Sequence, residues 1–321
     1  YNIDQCFSHF YRLSWNEEII MGRIVIANSL NQHDLDSLEV GLDWSSKLGL
    51  EASVVHADRL ADYNALDPVF AHLNIEIHQE YLDNLLKANE AGLVSQIKKI
   101  NPDFESFHYQ SLAGNPVEVI SNESEKDHCE LIVMGKRDDK SWAEAFMGSV
   151  SEGVLHRSHK SILLVKNKSI KHPKKIVVAY DFSKLCDKAL NWSKRLAEIF
   201  QCEIHVVNIV PCYYEGYHVA HTMRSDFNDA IKGMIDESVK KIDERLINKI
   251  GSYFTTEKVI GKTLVDDKAS ISGAITSYAS EVGADLIISG SHQRNKLAEF
   301  FMGSVSTKLA KKAKTSVLVA K

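Results

Sequence analysis

No apolar run in this sequence approaches the roughly 20 residues that a membrane-spanning helix requires, so a span of that kind is excluded. There is no C-x-x-C pair. The five cysteines, Cys6, Cys129, Cys186, Cys202 and Cys212, are scattered and odd in number. That usage fits reduced thiols in the cytoplasm and excludes a disulfide frame or a cysteine-built zinc site. An excess of positive charge is missing too: 38 Lys and Arg stand against 43 Asp and Glu, a formal net charge of −5. A surface of that balance is not built to hold nucleic acid or an anionic membrane by bulk electrostatics. A Walker-type G-K-[ST], a G-x-S-x-G elbow and a cluster of metal-binding carboxylates are absent as well. Neither a nucleophile–base pair nor a metal centre is expected, and the chain reads as a binding module rather than a dedicated enzyme.

What is present is ordinary globular material, 44% hydrophobic and 25% charged over 321 residues, enough for two domains and two cores. Residues 1–20 precede Met21, carry polar residues throughout, lack the apolar core of a signal peptide and read as an N-terminal extension of unknown role. The organising feature is an internal repeat. "AEAFMGSVS" at 143–151 returns as "AEFFMGSVS" at 298–306, and the flanking elements return with it. Each half opens with an apolar run, "RIVIAN" (23–28) or "KKIVVAYD" (174–181). An amphipathic stretch sharing Leu-Asx-Trp-Ser follows, Leu42 to Ser45 and Leu190 to Ser193. A second strand comes next, "ASVVHA" (52–57) or "EIHVVNIV" (203–210), and then a long helical segment. In the second half Ile231, Ile235, Val239, Ile242, Leu246 and Ile250 mark one face of that helix.

A third strand is expected around 104–109 and 253–260. The fourth is "ELIVMG" (130–135) or "DLIISG" (285–290), and the last is "SILLVK" (161–166) or "SVLVAK" (316–321). Strands alternating with helices, short and continuously apolar, predict parallel β-α-β units covered on both faces. "NKSIKHPKK" (167–175) reads as the linker. The predicted organisation is two tandem α/β domains, 21–167 and 174–321.

In such sheets ligands bind beyond the carboxyl ends of the strands. Strand four ends there at Gly135 or Gly290, and a loop leads to Gly148-Ser149-Val150-Ser151 or Gly303-Ser304-Val305-Ser306. Both tetrapeptides look like helix starts, where free N–H groups and the helix dipole attract an anion such as phosphate. Ser149, Ser151, Ser304 and Ser306 can add hydroxyl donors. The plainer reading is that Gly-Ser only caps a helix.

The order of elements, with "ELIVMG…MGSVS…SILLVK" and "DLIISG…MGSVS…SVLVAK", resembles the universal stress protein family in its tandem form, over essentially residues 22–321. The resemblance implies two Rossmann-like domains of the adenine nucleotide alpha hydrolase-like kind, each a five-stranded parallel sheet flanked by helices. In one branch of the family, ATP or another adenine nucleotide, sometimes with Mg2+, is held by G-x-x-G-x9-G-[ST], and an Asp ending strand one contacts the nucleoside. Another branch lacks the motif and binds no nucleotide. Here the middle glycine is Gln293 in the second half, with Arg294 and Lys296 nearby, and Asp138 in the first, beside Lys136 and Arg137. Asp181 matches the strand-one acid, whereas the first half has Ser29.

Carried over by resemblance, the second-half site comprises Asp181, main chain near Ile209, Gly290, Gln293, Arg294, Gly303, Ser304, Val305 and Ser306. Gly135, Gly148, Ser149 and Ser151 form a weaker counterpart. The resemblance implies a stress-responsive, cytoplasmic protein regulated by an adenine nucleotide, with weak ATP hydrolysis at most. The alternative is a stress protein that binds no nucleotide and acts through protein partners. In the family, last strands pair between domains, so 161–166 and 316–321 are expected to pair within the chain as an internal pseudo-dimer, with further homodimerisation open. The histidine pairs "HRSH" (156–159) and "HVAH" (218–221) read as solvated, Trp44 and Trp192 as core or interface packing, and "KLAKKAK" (308–314) as a solvated helix face.

Overall fold

The structure, a computed structural model, describes residues 22–59, 75–102, 107–126, 128–135, 147–211, 224–255, 258–266, 270–291 and 303–321. Gln293, Arg294, Lys296, Lys136, Arg137, Asp138, the 218–221 histidines and the 1–20 extension lie outside the described residues.

The first half runs β1 (Arg23–Ala27), α1 (Leu35–Leu48), β2 (Glu51–Asp58), α2 (Ile75–Ile100), β3 (His108–Ala113), α3 (Pro116–Glu125), β4 (Cys129–Gly135), α4 (Ser149–Arg157) and β5 (Ser161–Val165). The second repeats it: β6 (Lys175–Ala179), α5 (Lys184–Phe200), β7 (Glu203–Pro211), α6 (Arg224–Tyr253), β8 (Val259–Asp266), α7 (Ile271–Glu281), β9 (Leu286–Gly290), α8 (Ser304–Lys312) and β10 (Ser316–Ala320). Local chemistry sets the helix ends. Asn115 caps α3 by accepting the Val117 N–H, with Pro116 in the first turn, where its missing N–H costs nothing. Ser183 caps α5 by accepting the Cys186 N–H, and Gly49 ends α1 in the left-handed region at φ 66°.

The strands form one ten-stranded sheet ordered β3-β2-β1-β4-β5-β10-β9-β6-β7-β8. Neighbours within each half are parallel, as the β-α-β pattern requires. The halves meet through β5 and β10, antiparallel with Leu163 opposite Leu318. The expected internal pseudo-dimer is therefore present, and its seam is closed by matched bonds. Lys166 N–H donates to Ser316 Oγ at 3.0 Å, and Lys321 N–H donates to Ser161 Oγ at 3.2 Å.

This pairing changes the expected arrangement of cores. There are two, but each covers one face of the whole sheet instead of belonging to one domain. Ile24, Trp44 and Leu163 share a cluster with Ile176, Leu190 and Leu318. On the opposite face Val154 and Ile162 share one with Ile275, Leu309 and Val317. Both Leu-Asx-Trp-Ser stretches serve that join. Trp44 is fully buried, donates its indole N–H to the Ile170 carbonyl at 3.2 Å, and lies 5.7 Å from the Phe200 ring. Trp192 donates to Ser161 Oγ at 3.0 Å and lies under the Arg195 guanidinium. Both indoles thus serve packing, and Trp44 is closed to any outside partner.

Two other expectations need correction. The third strands begin several residues later than expected, at His108 and Val259; in the second half α6 continues to Tyr253, into the expected span. These are edge strands with one neighbour each, and their mixed exposure leaves no continuous apolar run to read. The linker is not a free tether either. Residues 168–171 form a 3-10 turn whose Ile170 is fully buried beneath Trp44.

Candidate functional site

In each half the chain leaves one central strand toward one side of the sheet and the adjacent strand toward the other. β1 leads to β2 while β4 leads to β5; β6 leads to β7 while β9 leads to β10. At such a switch point no crossover fills the space beyond the strand ends, and a crevice opens. The switch points lie beyond β1/β4, where a cleft is described, and at the equivalent place beyond β6/β9.

In the second half, Gly290 ends β9 where a helix backbone passes close. A Cβ there would lie 2.8 Å from the Leu185 carbonyl oxygen and 3.0 Å from Cys186 Cα. α8 starts at Gly303, in extended conformation at φ −60° and ψ 145°, and this cap residue supplies no side-chain acceptor. Ser306 does not cap the helix. It is buried, and its hydroxyl donates to the Gly290 carbonyl at 2.6 Å, pinning the helix start to the strand end. Its proton is thus committed within the fold, whereas Ser304 is exposed and Val305 half-buried. The reading of GSVS as a side-chain helix cap has no bond to support it here.

Asp181 is exposed beyond the end of β6. Its Oδ1 accepts the Ser183 N–H at 2.9 Å, and the carboxylate also receives the Cys186 thiol. Burial, and then that bond to Asp181, push the Cys186 thiol up to about 11. Ile209 lies two residues beyond Val207, whose carbonyl receives the Tyr180 N–H at 2.9 Å. By the two-residue alternation of a strand, the Ile209 main chain faces the same side, past the end of β6 at Ala179. Between them Phe182 holds a left-handed φ of 62°, uncommon for a bulky residue, with the Arg245 guanidinium 4.2 Å from its ring centre. The end of β9 carries one more residue, next to Gly290, that the motif passes over. Ser289 is 2% exposed, and its hydroxyl has no hydrogen-bond partner among the described residues. Leaving such a group unpaired costs about 1–3 kcal/mol. The signal was available in "DLIISG", where one polar residue interrupts an apolar strand.

The first half repeats the frame and alters the contents. A cleft of ≈ 210 Å³ is lined by residues that include Asn28, Ser29, Asp34, Met134, Gly148 and Ser149. Ser151 reaches for the Gly135 carbonyl as Ser306 does for Gly290, more loosely at 3.4 Å. Gly148 caps α4 at φ −60°, and a Cβ there would meet nothing within 4 Å. Ser149 is exposed. The loop after β1 carries a 3-10 turn, Gln32–Asp34, that places the Asp34 carboxylate in the cleft. Asp34 accepts the Ser29 N–H at 2.7 Å and the Ser29 hydroxyl, and its Oδ1 would lie 2.7 Å from a Cβ on Gly135. Glu152 adds a second carboxylate in the first turn of α4, whereas the first turn of α8 has no acidic residue. The two helix starts therefore differ in charge: Asp34 and Glu152 stand at or near the first, whereas the first turn of α8 carries no carboxylate.

Other signals resolve plainly. α4 ends at Arg157, so His156 and His159 do not share a helical face. Among the described residues no three His, Cys, Asp or Glu side chains converge as a metal site, and no helix is long and apolar enough to cross a membrane. The basic end of α8 is less free than expected, since Lys311 pairs with Glu152 across the seam.

Two stretches of the chain, 21–166 and 172–321, match the profile of the Universal stress protein family. The chain belongs to that family. It is 21% identical over 194 residues to a universal stress protein of Synechocystis, an alignment covering 60% of this chain and 58% of the relative. It thus spans less than two thirds of that relative's length. With a universal stress protein of Methanocaldococcus jannaschii it shares 26% identity over 155 residues, 48% of this chain and 79% of the relative. In fold it is similar to a universal stress protein from Archaeoglobus fulgidus, with a TM-score of 0.60 at 20% identity, covering 93% of this chain and 98% of that one. A second likeness is to a Pseudomonas aeruginosa protein described in the same terms, TM-score 0.59 at 14% identity, covering 94% of both chains. The Rossmann-like α/β architecture, doubled in one chain, is thus the family's.

Proposed function

We propose that the second domain of this universal stress protein binds ATP or a related adenine nucleotide as a regulatory ligand, in a cytoplasmic protein that responds to stress. The observation that carries this reading is the start of α8. The Ser306–Gly290 bond holds a helix N-terminus with no carboxylate in its first turn against the crevice beyond β9. That arrangement suits a phosphate group, since the helix dipole and the N–H groups of the first turn act together. The Gly303, Ser304 and Val305 main chain would take the phosphates, while Asp181 and the main chain at Ile209 would hold the nucleoside. Gln293 and Arg294 complete the proposed set. The first domain, with Asp34 and Glu152 in the corresponding places, is proposed to hold no nucleotide. Occupancy of the second crevice would change the surface beside α8 that protein partners meet.

The test is to identify small molecules released on denaturation and then to titrate ATP calorimetrically into the parent, Gly303→Asp and Gly148→Asp. Binding at about one nucleotide per chain is expected. A carboxylate at the second helix start should weaken it roughly tenfold or more, and one at the first should leave it intact. A silent titration, or equal loss in both variants, would reject the assignment and leave the partner-binding reading.

A further inference from the structure

Ser289 shares β9 with four apolar or glycine neighbours, "LIISG", and is paired in register with Ala179 on β6 and Val319 on β10. Strand alternation puts its side chain on the face of Ile287, the face covered by Ile275 of α7 and Leu309 of α8. The repeat then locates it relative to the crevice. Ser289 immediately precedes the glycine that ends β9, as Met134 precedes the glycine that ends β4. Met134 lines the first-half cleft together with Ala27, Gly135, Ser149 and Val150. The counterparts of those residues are Ala179, Gly290, Ser304 and Val305, so Ser289 forms the floor of the second crevice. There a short side chain replaces a long one, which leaves added depth, and a hydroxyl replaces a thioether.

Within the described fold that hydroxyl finds no partner although it is 2% exposed. Buried polar groups are satisfied with few exceptions, and an exception at a crevice floor points outward, to what the crevice receives. A serine hydroxyl donates one hydrogen bond and can accept two. Set among Ile287, Ala179 and Val319, it suits a neutral polar group and not a charged phosphate, whose desolvation this apolar floor would not offset.

We propose that Ser289 is a specificity-determining contact of the second domain, hydrogen-bonding a neutral polar group of the nucleoside. This rests on the nucleotide reading of the same site. It assigns the phosphates to the start of α8 and the choice of nucleoside to the floor.

The experiment compares the ligand-free stability and the ATP affinity of the parent, Ser289→Ala, Ser289→Met and Gly303→Asp. Without ligand, Ser289→Ala should melt at or above the parent, because an unpaired buried hydroxyl has been removed. Its ATP affinity should fall roughly three- to tenfold, the equivalent of one neutral hydrogen bond. Ser289→Met, which restores the first-half residue and fills the floor, should lose roughly tenfold or more. ATP binding that Gly303→Asp abolishes and Ser289→Ala leaves unchanged overturns the role of Ser289 while the nucleotide site stands. A ligand-free Ser289→Ala that melts well below the parent overturns it too, because the hydroxyl would then serve the fold. A parent that ignores ATP overturns both readings.

Discussion

Alanine at Gly290 and at Gly135 tests whether the two copies of the strand-end glycine have the same reason to be glycine. Neither has a positive φ, so backbone conformation does not separate them. The surroundings do. At Gly290 a Cβ would meet the Leu185 carbonyl oxygen at 2.8 Å, Cys186 Cα at 3.0 Å and the Leu185 carbonyl carbon at 3.0 Å, all main chain of the α5 start. Backbone cannot rotate away, so α5 must retreat by several tenths of an ångström from a close-packed core. Overpacking of that kind costs about 1–3 kcal/mol. At Gly135 the nearest atoms are Asp34 Oδ1 at 2.7 Å and Ser37 Oγ at 3.4 Å, the ends of side chains that can swing aside. The cost there is at most one weakened, solvent-facing hydrogen bond, below about 1 kcal/mol. Alanine also restricts the unfolded chain, returning about 0.4–1 kcal/mol in both variants. The expected outcome is a near-neutral Gly135→Ala and a Gly290→Ala less stable by about 1–2 kcal/mol. Urea unfolding followed by far-UV circular dichroism, with midpoints compared at a common slope, reads this difference. Equal losses, or a larger loss at Gly135, would refute the claim that helix approach dictates Gly290.

Lys321 donates to the Leu155 and Ser158 carbonyls at 2.6 and 2.5 Å, and burial pulls its amine down to about 8 from the usual 10.5. The unfolded chain then holds that proton longer, so stability should rise as pH climbs from about 8 to about 10.5. After discounting for partial exposure the gain is about 1–2 kcal/mol, and the difference between parent and Lys321→Met unfolding curves should track it across that window. Trp44→Ala, at a fully buried indole, should cost about 3–5 kcal/mol, and Trp192→Ala, half-buried, distinctly less; comparable losses in denaturant titrations would contradict the unequal burial of the two indoles.

The repeat made most of the fold legible. A nonapeptide repeated with one change, Ala145 against Phe300, located the second copy, and apolar runs located the central strands, because a strand covered on both faces must be apolar throughout. Edge strands β3 and β8 carry no such signal, which is why their starts were misplaced. The merging of the cores was not legible from composition: it follows from β5 meeting β10, a pairing of two ordinary apolar runs that the family resemblance supplied. The left-handed residues Leu30 (φ 63°) and Phe182 (φ 62°), at matched positions, were also invisible. Bulky side chains disfavour that region, and only tertiary packing holds them there. At the site, the glycines and GSVS were easy to find, but their contacts were not. A hydroxyl beside a helix start reads as a cap, whereas Ser306 turns back to the strand.

The two copies differ in a pattern that a helix-capping role does not explain. Contacts that build the frame recur in both: Ser45 and Ser193 on the Leu42 and Leu190 carbonyls, Ser151 and Ser306 on the strand-end glycines, and the reciprocal serine bonds at the seam. Positions lining or entering the crevices diverge. Asp181 stands against Ser29, Ser289 against Met134, Thr307 against Glu152, and only the first half inserts the turn that delivers Asp34. If GSVS served α4 and α8 alone, charge at the helix start would be tuned the same way in both, because both dipoles are alike. Instead the first crevice gains the Asp34 carboxylate, and its helix carries Glu152, paired with Lys311, while the second keeps no carboxylate in the first turn of its helix and has near it a buried hydroxyl with no partner among the described residues. Folding demands account for the shared frame; the different contents of the two crevices support the proposal of a ligand at the second and not the first.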